Sequence, residues 1–146
     1  MRKPAIKLSI GMLALLLAGP AASISDGKTA QGESYVTGGI GASELDDLEK
    51  RRHGFSLRVL TAAKGSGAYL ADAVIRIIDG AGKTVLDTTA DGPWLYVKLN
   101  PGDYKVTATY KTQVRQQATK IRANDRHEIF FYFDEAIERL PKGEKS

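Results

Sequence analysis

The sequence predicts an all-β protein: a seven-stranded, mostly antiparallel β-sandwich with one short N-terminal helix packed on it. Three observations carry this reading. From Phe55 onward apolar and polar residues alternate with a period of two, as in strands that keep one face in water. Turn signals such as Asp-Gly and Pro-Gly cut this pattern into seven short runs at nearly even spacing. No helical pattern long enough for a crossover lies between the runs, so the sheets should be mostly antiparallel.

The 146 residues do not all belong to the folded domain. Arg2, Lys3 and Lys7 precede an apolar run from Leu8 to Ala18, followed by the small residues GPAASIS. A basic start, a short apolar core and a small-residue zone describe a secretory signal peptide over residues 1–23, cleaved between Ala22 and Ser25. The run is shorter than the roughly 20 residues of a membrane span. The competing reading is an uncleaved anchor. Three of the 21 basic residues and none of the 17 acidic ones lie in this segment, so 18 basic residues face 17 acidic ones in the remainder. The basic balance therefore comes from the leader and does not signal a nucleic-acid surface. A periplasmic or secreted location follows. The chain has no cysteine, so disulfides, thiol nucleophiles, Cys-held zinc and N-terminal Cys lipidation are absent.

Residues 24–42, polar and Gly-rich, read as a flexible leader in which only Tyr35 and Val36 make contacts. Residues 43–54 read as a short helix. Ser43 stands at the N-cap with Asp46 at the capping-box position. Lys50, Arg51, Arg52 and His53 fill the last turn, and Gly54 suits the position after the end. Its apolar face is narrow, Leu45 and Leu48 alone, which suits a helix lying on a larger surface. The sandwich domain then occupies residues 55–134. Its seven runs are FSLRVLTA, ADAVIRIID, TVLDTTA, PWLYVKL, DYKVTATYK, QVRQQATKI and HEIFFYF. The remaining residues, 135–146, form a polar tail.

The punctuation between these runs is more specific than any single turn. Thr88-Thr89-Ala90-Asp91-Gly92, then Trp94 and Tyr96, then Leu99-Asn100-Pro101-Gly102-Asp103-Tyr104 resembles the carboxypeptidase regulatory-like domain. Ala73, Ile75 and Ile77 match that family's A-x-V-x-V strand. The resemblance covers about Leu70 to Ile121 and implies a prealbumin-like sandwich used as a non-catalytic packing, adhesion or binding module. On that register Ile75, Ile77, Trp94, Tyr96, Tyr104, Val106, Ala108 and Tyr110 point inward. Leu95, Val97, Phe130 and Tyr132 are left on opposite faces. Strands apolar on both sides are covered on both sides, and the 43–54 helix is the expected cover, with a partner chain as the alternative.

No catalytic set is expected. Asp91 and Asp103 sit beside glycines that first signal bends. The glycines 38, 39 and 41 precede a helix, yet Glu44 occupies the place of the third fingerprint glycine and no strand–helix–strand unit surrounds them. His53 and His127 lie 74 positions apart, too few and too far to announce a metal site. The histidines and C-terminal tetrapeptide of hydroxyisourate hydrolases, and the tyrosine–histidine iron set of intradiol dioxygenases, are missing. Trp94, Tyr69, Tyr96 and Tyr132 could line an aromatic platform for sugars, although a core role is the commoner one. Ligand contact is assigned to Tyr69, Asp91 and Asp103, with no cofactor, no metal and no catalytic residue. A monomeric module of the bacterial cell envelope, binding an envelope protein or a glycan, is the expectation. Carbohydrate binding through the sandwich loops and a metal-dependent enzyme built on the two histidines are the alternatives.

Overall fold

The computed structural model describes residues 24–135. The expected signal peptide, residues 1–23, and all of the expected tail beyond Glu135 lie outside the described residues. Two sheets face one another. Five strands make the first: β1 (Ser25–Lys28), β2 (Ser34–Gly38), β6 (Trp94–Val97), β3 (Leu57–Ala63) and β9 (His127–Phe133), in that spatial order. Four make the second: β5 (Thr84–Thr89), β4 (Val74–Asp79), β7 (Gly102–Tyr110) and β8 (Gln113–Ile121). All pairings are antiparallel except β3 with β9.

Nine strands are therefore found where seven were expected. The seven from Phe55 onward are all present, and the two additional ones come from the supposed leader. Residues 24–42 are not a flexible segment: β2 pairs with β6 from Tyr35↔Val97 to Gly38↔Trp94. Thr37, though polar, is buried, because its hydroxyl donates to the Trp94 carbonyl at 2.9 Å and accepts from the Asp91 N–H at 3.1 Å. Satisfied in this way, the hydroxyl adds little penalty to burial.

One core lies between the sheets. Leu57 and Val59 of β3, Leu95 and Val97 of β6, and Ile129, Phe131 and Phe133 of β9 meet Ile75, Ile77, Val106 and Ala108 of the facing sheet. β7 shows the expected alternation, with Tyr104, Val106 and Ala108 buried and Lys105 exposed. β6 corrects the expected register: Leu95 and Val97 point into the core, whereas Tyr96 and the half-buried Trp94 point outward. Both faces of WLYV are apolar, so period alone could not choose between them. The pairing of Leu95 with Val59 and Val97 with Leu57 makes the choice.

The helix α1 (Ala42–Arg51) continues into a 3₁₀ turn, Arg52–Gly54. Its N-cap is Gly41 and not Ser43, and no side chain caps it directly. Instead Glu44 reaches back, its Oε1 accepting the Gly39 N–H at 3.2 Å. Asp46 pairs with Lys50 at 2.8 Å. Leu48, fully buried, seats the helix on Val36 and Tyr96 at the outside of the five-stranded sheet. The helix thus covers a sheet face as expected, but it covers Tyr96 and Trp94 and stops short of Phe130.

Candidate functional site

The outer face of the five-stranded sheet is built from residues that the register places in rows. Tyr96, Arg58 and Glu128 stand abreast on β6, β3 and β9. The next row is Trp94, Leu60 and Phe130. Beyond it Ala62 has Tyr132 on one side and, through an isolated antiparallel bridge, Tyr69 on the other. Paired residues share a face, so four aromatic side chains gather over a floor of Leu60 and Ala62. Tyr69 is 53%, Tyr132 50% and Phe130 43% exposed, half of the large apolar side chains left so open among the described residues. Trp94 stands edge-on to Phe130 at 6.4 Å and to Tyr96 at 5.7 Å.

Between this face and α1 runs a groove of about 460 Å³, with Tyr69, Trp94 and Tyr96 among its walls. Its charged lining residues are all paired inside the protein. Arg58, nearly buried, bridges Glu128 and lies 5.8 Å from the centre of the Tyr96 ring. Arg52 meets Glu49 at 2.5 Å, and Asp46 meets Lys50. Burial raises the Tyr96 phenol above the ordinary tyrosine value, and its contact with Arg58 opposes that rise. The groove is therefore aromatic, close to neutral and rimmed by hydrogen-bonding groups.

The three residues assigned to ligand contact are not brought together. Tyr69 lines the groove. Asp91 is exposed in the β5–β6 turn at the same end of the sandwich, its N–H tied to Thr37, and it is not part of the groove wall. Asp103 lies at the opposite end, paired in register with Lys120. Gly92 serves that turn through close approach: a Cβ there would stand 2.3 Å from the Gly38 carbonyl. Gly39, with φ of 101°, has its N–H occupied by Glu44, so the glycine run holds a helix end. Phe130 joins the site only through its row partners, which no local pattern announces. Tyr69 was detectable as a large aromatic unexplained in a Gly-rich loop.

His127 faces the Asp125 carboxylate at 3.2 Å. That contact, with the Arg122 N–H, holds the Asp125 carboxyl below the usual range. Among the described residues no group of three or more histidine, aspartate and glutamate side chains is placed to hold a metal ion. Compared with models of protein families and with curated protein sequences, the chain matches none.

Proposed function

We propose that this chain is an exported, non-catalytic binding module of the cell envelope, of carboxypeptidase regulatory-like kind, whose aromatic face takes a neutral glycan. The observation that carries the reading is the pair of aromatic rows, Trp94–Leu60–Phe130 and Tyr69–Ala62–Tyr132, left open beside a charge-balanced groove. Open apolar surface of this kind on a monomer marks a binding site. A sugar ring offers C–H faces to aromatic rings and hydroxyls to carboxylates and guanidiniums. A groove whose charges are already paired favours neither an anion nor a cation. The site is the sheet face, not the loops around Asp91 and Asp103. Support for export comes from residues 1–23, and support for the family from the Asp91-Gly92 and Asn100–Tyr104 turns.

Trp94 is the only tryptophan in the chain, so its emission reports the groove directly. Titration with cello-, chito- and maltohexaose should give a saturable change for at least one of them, the sugar being recovered intact. Tyr69→Ala and Tyr132→Ala should each weaken binding by about tenfold, roughly 1.4 kcal/mol. Silence with all three sugars, or cleavage of the bound one, overturns the reading.

A further inference from the structure

At the far end of the sandwich three segments enclose a second cavity, of about 380 Å³. They are His53–Ser56 after the helix, Lys98–Pro101 between β6 and β7, and Arg122–Arg126 between β8 and β9. Its charge is lopsided: Lys98, Arg122 and Arg126 line it against one carboxylate, Asp125. That carboxylate is already engaged, accepting the Arg122 N–H at 3.0 Å and facing His127. Lys98 is bridged to Glu33 at 3.3 Å. Neither Arg122, Arg126 nor His53 has an ion-pair partner among the described residues. The walls are also fixed. The Ser56 hydroxyl accepts the Leu99 N–H at 2.8 Å, and Asn124 holds a left-handed φ of 65° that shapes the β8–β9 turn.

We infer that this cavity is a phosphate-ester site, in which Arg122 and Arg126 grip a phosphoryl group and Phe55 and Pro101 flank its organic part. Two arginines without an ion-pair partner that line one hollow are the residue type of choice for a multiply charged oxyanion. Two arginine forks match the several oxygens of a tetrahedral phosphoryl group, whereas one fork satisfies a planar carboxylate. The volume exceeds what a bare phosphate fills and falls within the range of small-molecule sites. The inference is independent of the glycan reading, since the cavity and the groove share no lining residue.

The test is an NMR titration of the chain from residue 24 to 146 with glycerol 3-phosphate at low ionic strength, with citrate and glucose in parallel. The expected result is a saturable shift of the Ala123–Arg126 amides with the phosphate ester. Citrate should bind more weakly, and glucose should leave these amides unmoved. Arg122→Gln/Arg126→Gln should weaken phosphate-ester binding by at least about tenfold, and Tyr69→Ala should leave it unchanged. Arg126→Gln alone serves if the double variant loses its fold. Cosedimentation with phosphatidylglycerol vesicles separates the two sources of the group: binding there as well marks a lipid headgroup, and binding of the soluble ester alone marks a free metabolite. Absence of a shift, equal affinity in the Gln variants, or preference for citrate overturns the inference.

Discussion

A methyl group added at Gly92 would meet the Gly38 carbonyl at 2.3 Å, backbone against backbone, where no flexible side chain can give way. Gly92→Ala should lower the unfolding free energy by about 1–3 kcal/mol, the usual range for overpacking, read from urea denaturation. Gly54 makes a control, because a Cβ there would meet nothing within 4 Å and its φ is not positive. Gly54→Ala should leave stability unchanged or raise it by up to about 1 kcal/mol. Tyr96 gives a residue-scale signature in pH. Burial keeps its proton on in the folded state beyond the value at which an unfolded tyrosine ionises, about 10. The stability contributed by this group is therefore complete below about pH 10 and lost as pH rises through the folded value. An ultraviolet titration should show one tyrosine, Tyr96, ionising above the ordinary tyrosine value, and Arg58→Met should delay it further. If all six ionise together, Tyr96 is not shielded as described.

Single elements show what was legible in the sequence and what was not. β7 could be read outright, since Lys105 and Thr107 alternate with buried Tyr104, Val106 and Ala108. β6 and β9 could not, because the unbroken apolar runs WLYV and IFFYF leave the direction of each face to the neighbouring strands. β1 and β2 were hidden for another reason. SDGK has no large apolar residue and SYVTG only Tyr35 and Val36, and what holds them is backbone pairing, the burial of Val36, the Thr37 hydroxyl and the room left by Gly92. The helix was visible in its charge order, yet its true start depends on Glu44 reaching Gly39. The candidate site was half visible in the same sense: Trp94, Tyr69, Tyr96 and Tyr132 could be named as a platform, but the rows they form and the place of Phe130 among them exist only through register. The helix also yields a prediction. Leu48 is its only fully buried anchor, so Leu48→Ala should cost about 2–5 kcal/mol. The same change should redshift Trp94 emission as the cover over the outer face loosens. An unshifted spectrum would mean that the helix does not shield Trp94.

For the molecule as a whole, residues 24–54 are part of the folded unit and not an appendage. They supply two of the five strands in one sheet and the cover over Val36, Tyr96 and Trp94. A chain starting at Phe55 should therefore bind hydrophobic dyes, unfold without a sharp transition and aggregate. Cooperative melting at the temperature of the longer chain would instead make the first two strands dispensable. The two proposed sites share no lining residue, and each has its own reporter, Trp94 emission for one and the Ala123–Arg126 amides for the other.

The parallel pairing of β3 with β9 joins Leu57 to His127, 70 residues apart along the chain. A polypeptide that leaves a ribosome or a translocation channel N-terminus first must hold Leu57 and Val59 without their β9 partners until His127–Phe133 has emerged. Contacts so distant in sequence also slow folding, placing such topologies on the millisecond-to-second scale. Completion of this sandwich thus waits on β9, and any factor that shelters nascent chains would act on it during that wait.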